Sequence, residues 1–517
     1  MPTLTLATRS LASFSGDTVI IGVQAAGQES GRSRSSRKAK DAKGAEQRAE
    51  VVASVDLPKD TAKALGAAVE VLSPSTSVGS TTVVPAVAGL KARKVLLVGV
   101  GDADVSTDDL RRAAGAAVRA CAKDTTVRLA LPHADEAQLA AIAEGALAGS
   151  YSFTAHKSSP QEASLGTIEV ASALGRKASP KDVLARAEVL GKGVAWARDL
   201  VNTAPNLLYP QSFADEVTQV AKASSGKLTV KVLDDKELAE GGFGGIVGVG
   251  QGSSRPPRIV ELSYKPARSR GAKKIGLVGK GITFDTGGVC IKPASGMLTM
   301  KSDMAGAAAV AATVVAAAEL ALPVAVTGYL CLAENMPGSN AQRPGDVVTM
   351  RNGTTVEIID TDAEGRMVLA DGMCLAAEQG AETIIDVATL TGAAVVALGP
   401  DIFAVMSNED ALRDTVGAAS AEVDEPSWPL PLPVDLRKGL DSHVADLAHK
   451  ADRWGGTLTA GLFLQEFAKG ADGESIPWAH LDIAGPSFNE GGAKGHLDKG
   501  GTGVAVATLI RYLEQLG

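Results

Sequence analysis

Histidine is scarce in this chain of 517 residues. There are six, His133, His156, His443, His449, His480 and His496, and none falls between 157 and 442. That gap holds the densest charged motifs, so a single-zinc H-E-x-x-H peptidase is excluded there, as is a Ser-His-Asp hydrolase with a nearby base. Cys121, Cys290, Cys331 and Cys374 are too few and too scattered for a disulfide framework and form no C-x-x-C pair, which favours reduced, buried thiols in a cytosolic protein. Aromatic residues are only 3%, so the core must rely on small aliphatic side chains. Positive charge is in deficit: the net charge of -8 and a pI near 5.5 argue against a general nucleic-acid binder. The first ten residues lack a basic segment followed by an unbroken apolar run, so no secretory signal is expected. Neither Val98-Gly-Val-Gly-Asp102 nor Gly248-Val-Gly-Gln-Gly252 completes a dinucleotide or P-loop fingerprint; both are expected to be turns.

The length exceeds a single typical core and predicts two domains. Hydrophobic residues at 45% and charged residues at 21% are the balance of a soluble globular protein. The first 180 residues alternate β-branched runs (Thr18 to Val23, Thr81 to Val84, Lys94 to Gly99, Thr126 to Leu131) with Ala-rich helical stretches (Asp108 to Lys123, Asp135 to Ala148), an α/β pattern. Gly27 to Arg48 carries seven basic residues among Ser and Gly and reads as a mobile surface insert. It could also be an arm for nucleic acid or an acidic partner, giving a DNA-binding or regulatory alternative. A long helix over Val183 to Val201 places the domain junction, with domains 1–182 and 183–517. Met304 to Ala333 has one charge, Glu319. Its length would allow a membrane span, but Pro323 and the β-branched run after it favour a buried helix followed by a buried strand, and no membrane association is expected.

What the chain does contain is Asp360-Thr-Asp-Ala-Glu-Gly-Arg366, three carboxylates and a guanidinium between Val-Glu-Ile-Ile and Met-Val-Leu-Ala. Apolar flanks make a surface ion pair a poor account, and buried carboxylates need partners, of which divalent cations are the most effective. Asp362 and Glu364 are two apart, so an extended segment would aim both, and Arg366 after them, to one side. Lys280 and Asp285 follow the expected strand Ile275 to Gly279, where α/β sheets gather ligands, with Gly279, Gly281, Gly287 and Gly288 leaving room. Asp303 precedes an Ala-rich helix. Taken alone it is equally readable as an N-cap, and Asp285 as a turn residue. A histidine-free, carboxylate-rich set points to a dinuclear centre. His443, His449 and His480 are expected to be structural.

Val278-Gly-Lys-Gly-Ile-Thr-Phe-Asp-Thr-Gly-Gly288, Ile291-Lys-Pro293, Met300-Lys-Ser-Asp-Met304, Thr361-Asp-Ala-Glu-Gly-Arg366 and Asp386-Val-Ala-Thr-Leu-Thr-Gly392 resemble the leucyl (cytosol) aminopeptidase family over much of 195–517. The resemblance implies a smaller macro-like N-terminal α/β domain and a larger catalytic α/β domain with a central mixed sheet, assembled as a cytoplasmic homohexamer. It implies release of N-terminal residues, leucine among them, from peptides with a free N-terminus. Two divalent ions, manganese or zinc, would be held by Lys280 and Asp303 on one side, Asp362 on the other, and Asp285 and Glu364 between them. Lys292 and Arg366 would be catalytic, with bicarbonate held at Arg366, and Met300, Thr389, Gly392 and Ala484 would line the pocket for the first side chain. Some relatives bind DNA. This chain departs from the family in having Asp360 where Asn is usual.

Overall fold

Strand Thr18–Ala25 shows how the first part of the chain is built. Its odd positions Val19, Ile21 and Val23 pack with Leu65 and Val69, while Ile20 joins Leu110, Ala117, Leu139 and Ile142 on the other face. The period-two alternation therefore buries both faces under helices, as a mostly parallel sheet requires. A computed structural model describes residues 1–7, 9–26, 49–159, 164–174, 179–267 and 271–517; the basic insert expected at 27–48 lies outside the described residues. The chain forms two compact units, Met1–Gly191 with Gly492–Asp498, and Lys192–Gly491 with Lys499–Gly517.

In the first unit the sheet order is Thr3–Ala7, Thr167–Ala171, Thr126–Ala130, Thr18–Ala25, Lys94–Gly101 and Thr81–Pro85, with Ala49–Val52 antiparallel on Thr18–Ala25. Helices Lys59–Leu72, Thr107–Ala120 and Glu136–Ser150 cover it. Ser106 and Asp135 cap the latter two, each accepting a backbone N–H, which satisfies donors left open at a helix start. The sequence pattern did not reveal Thr3–Ala7, Ala49–Val52, Thr167–Ala171 or Lys59–Leu72. Val98 to Gly101 is strand rather than turn.

The second unit holds an eight-stranded mixed sheet. Its order is Ser427–Pro429, Phe403–Ser407, Trp478–Asp482, Thr383–Ala388, Lys274–Asp285, Ala325–Asn335, Arg258–Tyr264 and Leu228–Leu233. The four middle strands, Trp478–Asp482 through Ala325–Asn335, run parallel. The apolar run after Met304 is the helix Ala305–Glu319, buried from Ala305 to Ala318, followed by strand Ala325–Asn335, as its composition predicts. Small side chains let this helix lie directly on the sheet: a Cβ on Gly306 would stand 2.0 Å from the Val387 carbonyl oxygen. Gly248 and Gly250 belong to a short helix, Gly244–Gly250, not a turn. All four cysteines are free; three are buried as expected, but Cys290 is only half-buried.

Candidate metal centre

The strand expected to stop at Gly279 runs on to Asp285, so Lys280 and Asp285, with Gly279 and Gly281, are strand residues rather than loop residues. In a regular strand positions 280 and 285 would face opposite ways. The pairing with Ala325–Asn335 slips between Ile282 and Phe284, where Ala333 and Glu334 are consecutive partners. One extra residue there restores a common side, which is what a bulge accomplishes. Asp303 sits in the turn between Met300–Ser302 and the helix Ala305–Glu319; the residue at the cap position of that helix is Met304.

The 360–366 segment is not extended. Thr361 and Asp362 form a turn, Glu364 already has helical backbone angles, and Arg366 lies in the first turn of the helix Gly365–Glu378. Asp362 and Glu364 are therefore aimed by a turn entering a helix, not by strand parity. Lys280 passes over this helix start, where a Cβ on Gly365 would lie 2.6 Å from its Cε; any larger residue would displace the lysine.

These elements bring the chemistry together. Lys280 Nζ lies 2.9 Å from Asp303 Oδ1 and 2.7 Å from Glu364 Oε1, and donates to the Thr389 carbonyl at 2.9 Å. Lys292 Nζ lies 2.8 Å from Asp285 Oδ2 and also contacts Asp362. One carboxylate oxygen from each of Asp285, Asp303 and Glu364 falls within 4.8 Å of the others. Thr389 Oγ1 donates to Asp303 Oδ1 at 2.7 Å, while Asp303 Oδ2 is buried without a hydrogen-bond partner. An orphaned, buried carboxylate oxygen beside two other acids and an amine is a donor set that suits hard or borderline divalent cations.

The electrostatics point the same way. Burial pushes the Asp303 and Asp285 carboxyls up, and their acidic neighbours push them further. Burial opposes the charge on Lys280, yet Asp303, Glu364 and Asp285 outweigh it and hold the amine above its ordinary range. Cations bound among these groups would invert both effects, keeping the acids ionised and favouring the neutral amine.

Arg366 is buried, which excludes the surface ion pair. It donates through Nη1 to the His449 carbonyl at 2.8 Å, while its Nε is buried without a partner, and burial lowers its pKa to about 10. Three of the four residues expected to line a substrate pocket, Met300, Thr389 and Ala484, are linked to this cluster through shared hydrogen bonds. Met300 accepts the Asp303 N–H on its carbonyl. Asp482 accepts from Leu390 N–H and the Thr391 hydroxyl on one side and from Ala484 N–H on the other, tying Ala484 to the loop that carries Thr389 and leads into the helix Gly392–Leu398.

Sequence reasoning missed several partners. Asn335 donates to Asp285 Oδ1 at 2.8 Å and to the Thr361 carbonyl at 2.9 Å; a polar residue at the carboxyl end of an apolar strand was its only signal. His449 and Lys450 hold the 359–360 backbone and the Asp360 carboxylate, contacts that no sequence spacing announces. His480 is fully buried with its Nδ1 2.5 Å from Asp386 Oδ1, the other oxygen of which accepts from Trp478 Nε1.

Comparison with known proteins fits this geometry. Residues 195–510 match the catalytic domain of the cytosol aminopeptidase family and residues 40–160 its N-terminal domain. A probable cytosol aminopeptidase of Streptomyces griseus is 47% identical over 100% of this chain and 99% of its own, and one from Micrococcus luteus 49% over 89% and 92%. Among solved structures, the bottromycin maturation enzyme BotP in complex with Mn superposes with a TM-score of 0.82, at 37% identity over 97% of this chain and 99% of that one. A tomato leucine aminopeptidase mutant gives a TM-score of 0.83 at 28% identity, over 100% and 97%. With both family domains matched in order and full-length relatives at 47% identity, the chain belongs to the cytosol aminopeptidase family, metal-dependent hydrolases that remove residues from the N-termini of peptides.

Proposed function

We propose that this aminopeptidase holds two divalent cations through Lys280, Asp285, Asp303, Asp362 and Glu364, and that Lys292 and Arg366 are its catalytic residues. Lys280 and Asp303 would hold one ion and Asp362 the other, with Asp285 and Glu364 placed to serve both. The observation that carries the reading is the pair of lysines, one set between Asp303 and Glu364 and the other between Asp285 and Asp362. When bound, Mn2+ or Zn2+ supplies an acidified water and an anchor for the free α-amine of the substrate, which restricts cleavage to the first residue.

Lys280 can offer its amine only as the neutral base, the form that burial favours. Lys292 stays cationic and donates to the substrate carbonyl oxygen as negative charge develops there, an interaction worth about 10²–10³ in rate. Arg366, whose buried Nε has no partner, would hold a bicarbonate, which would supply the proton acceptor that the carboxylates, if occupied by metal, could not. Met300, Thr389, Gly392 and Ala484 line the pocket for the first side chain.

In this reading residues 1–182 are a macro-like domain, 183–517 the peptidase, and the protein works as a cytoplasmic homohexamer. The test is release of p-nitroaniline from Leu-p-nitroanilide by metal-stripped protein. The stripped protein should be inactive and recover with Mn2+ or Zn2+; full activity without added metal would overturn the reading.

A further inference from the structure

Lys450 has no part in the arrangement above, yet it pairs with the one acidic side chain of the 360–366 motif that the proposed metal set leaves out. Its Nζ lies 2.5 Å from Asp360 Oδ2, and the other oxygen of Asp360 accepts the Asp362 N–H at 3.0 Å. The Asp360 carboxylate is thus hinged on the backbone of a proposed ligand, with Lys450 as its paired cation and the Cys290 side chain also against it.

That cation is held in place. The preceding residue, His449, is buried and held by several contacts, its backbone N–H donating to the Glu357 carbonyl at 3.1 Å among them. Its Nδ1 accepts the Ile359 N–H at 3.0 Å, its Nε2–H donates to the Asp360 carbonyl at 2.8 Å, and its own carbonyl accepts from Arg366 at 2.8 Å. The chain leaving this anchored ring carries Lys450 to Asp360. Without Lys450, Asp360 would face two other sources of positive charge, the bound cations and Arg366. A carboxylate released into a partly buried, cation-rich site does not stay unpaired.

We propose that Lys450 is a positioning residue that neutralises Asp360 and keeps its carboxylate off both the metal set and Arg366. The inference rests on the dinuclear reading. Lys450→Met keeps the aliphatic stem and removes the charge; Asp360→Asn removes the charge that it offsets. Mn2+ binding to metal-stripped protein, followed by calorimetry, and turnover of Leu-p-nitroanilide are compared for the wild type, Lys450→Met and the double variant. Lys450→Met should bind Mn2+ roughly tenfold more tightly and turn over roughly tenfold more slowly, from the Coulomb energy of one released charge near a dication. The double variant should return both to within about twofold of wild type. The proposal is overturned if Lys450→Met matches wild type, if it slows without a change in Mn2+ affinity, or if the double variant keeps the defect. Wild-type protein that binds no Mn2+ would instead overturn the dinuclear reading itself.

Discussion

The two lysines of the site are alike in their pairing and differ in their exposure. Each sits between two carboxylates, but the Lys280 side chain is 4% exposed and its partners Asp303 and Glu364 are 6% and 2%. Lys292 is 17% exposed and its partner Asp362 33%. The sealed lysine faces only protein, so its charge has no solvent to fall back on and its amine is suited to a cation's coordination sphere. The more open one keeps access to water and to an incoming carbonyl. Without metal the flanking acids hold both amines cationic, so the proposed division of roles rests on the difference in exposure and on a bound cation favouring the neutral form of Lys280.

The comparison breaks most visibly at the open pole. Lys292→Ala should lower kcat by about 10²–10³ while leaving two metal ions per chain, measured by steady-state kinetics and elemental analysis. At the sealed pole, Lys280→Met should weaken binding of one ion by at least about 100-fold in a calorimetric titration, since changes merely adjacent to metal ligands already cost about 10–100-fold. Loss of one Mn2+ from Lys292→Ala instead would exchange the two roles.

Arg366→Ala should reduce kcat by roughly tenfold or more, with KM little changed, and abolish any stimulation by added bicarbonate. The smallest effect concerns His449. Its buried ring is pushed down to about 4 by burial and by Arg366. A depressed histidine contributes stability that is present above its unfolded value of about 6.5 and is lost as pH falls towards 4, because the unfolded chain takes up the proton first. Metal-free His449→Asn should therefore show a melting temperature that declines less between those pH values, by a few degrees.

Much of this was legible in the sequence. The Ala-rich run after Met304 was legible as a buried helix and strand rather than a membrane span, because Pro323 and the β-branched run after it interrupt the apolar stretch. The acid and lysine motifs stood out because their flanks are apolar. The reason that Lys280 and Asp285 share a side was not legible, since it depends on a bulge between Ile282 and Phe284 that is defined by the neighbouring strand. The same limit applies to Asp362 and Glu364, where a helix start replaces the expected extended segment. Asn335, His449 and Lys450 act across separations of 26 to 90 residues, and pairings at that distance are made by tertiary packing rather than local pattern. The short strands Thr3–Ala7 and Ala49–Val52 are too brief to be secured by pattern alone, although Thr-Leu-Thr-Leu in the first does alternate.

The most direct measurement is the number of Mn2+ ions bound per chain by metal-stripped wild type, Lys280→Met and Lys292→Ala proteins. The unequal environments of the two lysines predict two, one and two at concentrations that saturate the wild type. A wild type that binds none, or a Lys280→Met protein that still takes up two with unchanged affinity, would contradict the account.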